Sequence, residues 1–171
     1  MELDSKIPTG TWTLYYHDPS DTRWTPESYQ KIGSFDSYSQ FFVLMKELGD
    51  IAIKYGMLFI MKDGIPPLYE NFHNIRGGSY SLRIARNKAV QYFYTYTLAC
   101  FINDVVNNKD NIIQGISISP KRVNDKSLCF NVIKIWNKDC QTFNKGNELI
   151  SYENIQSHSE IIYTPHVQRK I

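Results

Sequence analysis

The sequence predicts an α+β domain in which helices cover one face of an antiparallel sheet. Three observations carry that prediction. Short runs rich in β-branched and aromatic residues alternate along much of the chain. Two longer segments repeat their apolar residues at helical spacing. The 171 residues, 42% of them hydrophobic, suffice for one ordinary core.

Residues 1–10 read as a short N-terminal arm, with Pro8 and Gly10 breaking regular structure, and 11–171 as a single domain. Thr11 to Tyr16 alternates and predicts a strand. Asp18-Pro19-Ser20-Asp21 forces a loop, with Trp24 on its far side among polar residues. Tyr29 to Phe35 predicts a second strand. Asp36 or Ser37 can cap the helix that follows, and Ser37-x-x-Gln40 fits a capping box. That helix places Phe41, Leu44, Met45 and Leu48 on one face and stops near Gly49, with a further turn over Ala52 to Tyr55. Met57 to Met61 is a continuous apolar run, predicted as a central strand ending at the Asp63-Gly64 turn.

Gly78 to Ile84 alternates cleanly, a half-buried strand. The clearest helix carries Val90, Phe93, Tyr94, Thr97, Leu98, Phe101, Ile102 and Val105, and Asn107 to Asp110 is predicted to end it. Its aromatics suit a core. Ile112 to Ser119 resumes a strand, Pro120 to Lys126 makes a basic turn, and Ser127 to Trp136 returns as the second half of a hairpin. Residues 137–150 are polar and predict no element. Tyr152 to Tyr163 predicts one or two closing strands, and Pro165 to Ile171 a tail.

Composition narrows the function. A formal charge of +2 is too small for coating nucleic acid by bulk electrostatics, so any anion site must be a local cluster. Cys100, Cys129 and Cys140 are odd in number and lack C-x-x-C spacing, which argues against zinc or a disulfide framework and for a reducing compartment. The N-terminus lacks an apolar signal core, and no run of ~18 apolar residues occurs. A cytoplasmic protein is expected, with no metal or cofactor. Ser157 and His158 bring no third triad member with them, so no enzyme is expected.

The most informative stretch is Lys62-Asp63-Gly64-Ile65-Pro66-Pro67-Leu68-Tyr69-Glu70-Asn71, followed by Arg76-Gly77-Gly78. Tyr69 offers a π face and Glu70 can accept two N–H donors side by side. Arg76 can reach a phosphate. A flat cationic base with donors on its edge suits that arrangement, and Trp24 is the candidate for a second aromatic face.

With Trp12, Trp24, Phe59-x-x-Lys62-Asp63-Gly64-Ile65-x-Pro67-x-Tyr69-Glu70-Asn71, Arg76-Gly77-Gly78-x-Tyr80 and Ile133-Lys134-Ile135-Trp136 in that order, the chain resembles the translation initiation factor 4E family, whose members bind mRNA caps. The resemblance implies a curved antiparallel sheet with helices on the convex face and the cap pocket on the concave face. It implies that Trp24 and Tyr69 sandwich 7-methylguanine, that Glu70 accepts N1–H and N2–H, and that Trp136 packs against the methyl group. Arg76, Lys121, Arg122 and Lys126 are the implied phosphate ligands. Ser157 and His158 fall in a segment similar to the family's C-terminal loop near the cap.

The resemblance also implies two partners, the capped 5′ end of mRNA and a helical peptide from an initiation factor 4G-like scaffold, with a protein otherwise monomeric. The scaffold positions are Pro8, Tyr38, Phe42, Thr95, Tyr96 and Ala99. Departures from the family pattern are Tyr69 and Phe42 where tryptophan is usual, Tyr96 for an acidic residue, and smaller residues at Thr95 and Ala99. An initiation factor is the first expectation. The altered scaffold face keeps open a cap-binding repressor or decoy.

Overall fold

Alternation decides which side of the sheet each residue serves. The computed structural model describes residues 2–121, 129–143 and 161–167. Seven strands lie in the order β2-β1-β3-β5-β6-β4-β7. They are β1 (Trp12–His17), β2 (Tyr29–Phe35), β3 (Met57–Lys62), β4 (Gly78–Ala85), β5 (Ile113–Lys121), β6 (Phe130–Asn137) and β7 (Ile162–Pro165). Every neighbouring pair is antiparallel. Helices α1 (Tyr38–Leu48), α2 (Asp50–Tyr55) and α3 (Ala89–Phe101) complete the described elements, with short 3-10 turns between.

One face of the sheet carries Trp12, Leu14, Leu58, Ile60, Tyr80, Leu82, Ile84, Ile116, Ile118, Ile133 and Ile135 into the main core, where Phe41, Met45, Ile53, Phe93 and Phe101 of the helices meet them. The residues between them in sequence face the other way. There Phe59, Met61, Ile65 and Trp136 form a smaller cluster with Tyr15, Tyr29 and Met57 around it. No helix lies over this second face among the described residues, which leaves it open for a site.

The helix ends follow from their residues. Ser37 caps α1, its Oγ accepting from the Gln40 N–H at 3.4 Å, while Gln40 Oε1 accepts the Asp36 N–H at 2.9 Å. The box therefore closes one residue earlier than the usual pattern. Gly49 ends α1 at φ +84°. Helix α3 stops at Phe101, short of the predicted end, because Asn103 turns left-handed at φ +50°. Asp104 N–H then donates to Ala99 O and Asn103 N–H to Cys100 O, the paired bonds of a Schellman cap. Val105 extends the apolar periodicity past that cap and is buried outside the helix.

The N-terminal arm is docked rather than loose. Ile7 is 3% exposed, its N–H donates to Asp36 O, and Lys6 pairs with Asp36 at 2.8 Å. Trp12 donates from Nε1 to Thr9 Oγ1, which itself donates to Phe101 O, tying the arm to the end of α3. Pro120 and Lys121 continue β5 instead of opening a turn. Pro165 belongs to β7 and His166 is anchored beyond it, so these residues are not a tail. Of the predicted closing strands, 152–160 lie outside the described residues. No helix among the described residues is long and apolar enough to cross a membrane.

Candidate functional site

The open face of the sheet holds a cavity of about 300 Å³. Phe59 from β3 and Trp136 from β6 supply its apolar floor. Trp136 is 5% exposed and donates from Nε1 to Ser117 Oγ at 3.2 Å, which fixes the indole plane. In register it faces Gly115 on β5 and Ser79 on β4. A side chain at Gly115 would crowd both Met61 and the backbone oxygen of Ile60, which cannot swing away. Lys121 and Lys134 put two ammonium groups at the rim. Desolvation and the neighbouring Lys121 hold Lys134 below the ordinary lysine range, although part of its side chain remains in water.

Trp24 forms one wall. Its loop is organised locally: Asp18 accepts from the N–H and hydroxyl of Ser20, and Asp21 accepts from the Arg23 backbone and guanidinium. That exposed pair holds the Asp21 carboxyl down to about 2. Trp24 stays 49% exposed, with its ring stacked on His17 at 4.3 Å and 11° between planes. His17 is fully buried. Its Nδ1 lies 2.9 Å from Asp18 O and its Nε2 2.7 Å from Arg23 O, at the two ends of the loop. One imidazole therefore spans the loop mouth and carries the tryptophan on its face.

Tyr69 forms another wall, 56% exposed. Gly64, at φ +78°, turns the chain out of β3. The buried Asn74 then donates from Nδ2 to both Pro66 O and Leu68 O at 2.9 Å, holding the turn before Tyr69. His166 Nδ1 lies 2.7 Å from Asn74 O, and its ring is 6.1 Å from that of Tyr69 and 5.1 Å from that of Trp136. Glu70 lines the cavity, exposed and without a hydrogen-bond donor among the described residues. Burial, then the charge of Glu70, pushes the Tyr29 hydroxyl up to about 12.

Of the residues singled out in the sequence, Trp24, Tyr69, Glu70, Trp136 and Lys121 are brought to one cavity. Arg76 is not. It lines a separate recess with Phe72, His73, Asp110 and Lys138, because the chain turns after Asn74 and carries Arg76 to the far side of the loop. The glycines after it answer to packing: a Cβ on Gly77 would strike Asn137 O, and one on Gly78 the Tyr163 hydroxyl. Arg122, Lys126, Ser157 and His158 lie outside the described residues.

The predicted scaffold face is only partly presented. Pro8 is exposed, and Thr95 and Phe42 are half-buried, Phe42 lying parallel to Tyr94 at 6.1 Å. Tyr38, Tyr96 and Ala99 are at most 6% exposed and serve the core, since α1 and α3 turn those positions toward the sheet. Sequence reasoning missed His17, Asn74, Lys134 and His166. Only His17 left a signal there, closing the alternation of β1 next to the Trp24 loop.

The described side chains contain no group of three His, Cys, Asp or Glu able to hold a metal ion. What the cavity offers is two aromatic walls, an aromatic floor, one acceptor carboxylate and two rim cations. Such a site fits a planar, positively charged ring that carries an anionic tail.

Comparison with known proteins bears on that fit. The family model for eukaryotic initiation factor 4E matches residues 9–170. Eukaryotic translation initiation factor 4E of Dictyostelium discoideum is 27% identical over 165 residues, covering 91% of this chain and 62% of that protein. The Homo sapiens protein is 23% identical over 135 residues, 76% of this chain and 59% of that one. The chain thus spans about three fifths of the length of these curated relatives. Among solved structures, C. elegans eIF4E-3 with the 4E-binding protein Mextli and cap analog superposes with a TM-score of 0.66 at 17% identity, covering 81% of this chain and 76% of that one. Ascaris suum eIF4E-3 with m7G cap gives 0.63 at 18%, covering 80% and 75%. At such identities the structural likeness establishes the shared fold.

Proposed function

Because the chain belongs to the eukaryotic initiation factor 4E family, we propose that its cavity holds the 7-methylguanine base of an mRNA cap and that the protein brings capped mRNA to translation initiation through a scaffold partner. The observation that carries this is the convergence of Trp24, Tyr69, Glu70, Trp136 and Lys121 on one cavity.

Methylation at N7 places a positive charge on guanine. A cation between two aromatic faces gains roughly 2 kcal/mol or more per face once desolvated, a gain the unmethylated base does not share. Trp24 and Tyr69 supply the faces. Glu70, with its oxygens free of donors among the described residues, accepts N1–H and N2–H as a charge-assisted pair. Trp136 gives the methyl group an apolar neighbour. Lys121 and Lys134 receive the phosphates, and an anion between them offsets both the desolvation and the Lys121 repulsion that lower Lys134.

Calorimetric titration with 7-methyl-GTP, GTP and the Glu70→Ala protein tests the assignment. Binding of the methylated nucleotide at least about tenfold tighter than GTP, and lost on Glu70→Ala, is expected. Equal weak binding of both nucleotides would remove the assignment.

A second role has an observation behind it. Tyr38, Tyr96 and Ala99 are buried and Phe42 lies against Tyr94, so the helical face presents less of the implied scaffold surface. This favours a cap-binding repressor or decoy that does not engage the usual scaffold. Pull-down with a scaffold peptide separates the two, since an initiation factor requires capture that weakens on Phe42→Ala.

A further inference from the structure

His166 joins three parts of the cavity wall without lining the cavity itself. It follows β7, where its backbone N–H donates to Gly77 O at 3.0 Å. Nδ1 faces Asn74 O, and a carbonyl can only accept, so Nδ1 carries a proton. Nε2 lies 2.8 Å from Ser79 Oγ, whose hydroxyl can either donate or accept. In the singly protonated ring Ser79 donates to Nε2, and both contacts are satisfied without charge. Ser79 is the register partner of Trp136, and Asn74 holds the turn before Tyr69. One ring therefore ties the Tyr69 loop to β4, with Trp136 at its edge.

We propose that His166 is a positioning residue for the cavity, and that a second proton on its ring opposes a cationic base bound there, so that cap binding weakens in acid. The proposal rests on the cap assignment above. A cation is already disfavoured at this position: desolvation and the Lys134 ammonium lower His166, against the raising effect of the Asn74 carbonyl.

Among the described residues, the surrounding charged and titratable groups are few. Lys134 on β6 and Lys121 across the cavity oppose added positive charge. Tyr69 and Glu70 stand on the adjoining loop, and Glu70 partly offsets that charge. Beyond Gly77, Arg76 lines a separate recess with Val167. On β4 the facing group is the Ser79 hydroxyl, and on β7 Tyr163 turns to the opposite face and donates to Asn137 Oδ1. Binding of the proton and of the cationic base are reciprocally coupled. Each lowers affinity for the other, so the base is held fully through the ordinary histidine range and released as pH falls below it, where this lowered imidazole takes its second proton.

The test measures 7-methyl-GTP affinity from about pH 8 to about pH 5.5 for the wild type, His166→Gln and Ser79→Ala, with thermal unfolding confirming the fold at each pH. Ionisation of the ligand affects every protein alike, so the ratio to wild type isolates the residue. Gln retains an amide donor for Asn74 O and cannot be charged. Each protein being compared with its own affinity at the alkaline end, the wild type is expected to lose about threefold more over this range than His166→Gln. Ser79→Ala keeps the acid-dependent loss, because the titrating ring remains. Parallel profiles for wild type and His166→Gln would overturn the proposal while leaving the cap assignment standing. Absence of methylated-nucleotide binding in all three proteins at every pH would overturn both.

Discussion

The two walls of the cavity are held in opposite ways. Trp24 is held by its ring, stacked at 4.3 Å on a buried histidine that also bridges the ends of its loop. Tyr69 is held by its backbone, through Asn74 and His166, while its own ring has one aromatic neighbour among the described residues, His166 at 6.1 Å. One aromatic face is thus ready before a ligand arrives, and the other must lose rotamer freedom on binding. Fixing a side chain of that kind costs about 0.5–1.5 kcal/mol. The asymmetry places the more electron-rich surface on the fixed wall, where none of its attraction is offset by ordering.

The sharpest way to break the comparison is to remove the fixed wall. Trp24→Ala is expected to weaken 7-methyl-GTP binding by about 2 kcal/mol, roughly thirtyfold, in a calorimetric titration. Tyr69→Ala is expected to lose less, and equal losses would mean that both rings are equally prepared. Removing only the support comes next. His17→Ala leaves Trp24 in place but frees its loop, and an affinity drop of about tenfold is expected. His17→Phe keeps the stacking surface without the carbonyl contacts and should restore part of it. The smallest effect comes from strengthening the looser wall. Tyr69→Trp is expected to tighten binding about threefold, a gain limited by the ring ordering that remains.

How much of this was legible in the sequence depended on whether the deciding contact was local. Strand β2 could be bounded from its residues alone, and Ser37 with Gln40 marked the start of α1. Trp24 stood out because a large aromatic among polar loop residues has few places to go. The end of α3 was misread because Val105 keeps the helical period while Asn103, two residues earlier, supplies the left-handed turn that stops the helix. Arg76 shows a different limit: its motif was plain, but which side of a turn a side chain leaves from depends on backbone angles that composition does not display. His166 was invisible. Its partners Asn74 and Ser79 lie 92 and 87 residues away, one of them a backbone carbonyl, and no periodicity predicts such a pairing.

The three tryptophans sit at three depths, Trp12 fully buried in the core, Trp136 at 5% exposure in the cavity floor and Trp24 at 49% on its wall. Their emission therefore divides into a portion that a ligand can touch and a portion that it cannot. Trp12, sealed behind the sheet with its N–H committed to Thr9, glows on regardless of what fills the cavity and serves as an internal intensity standard. Quenching by a genuine occupant must level off at a finite residual signal, blue-shifted toward that of the buried indole. A titration that drives the intensity smoothly toward zero is recording absorption of the exciting light.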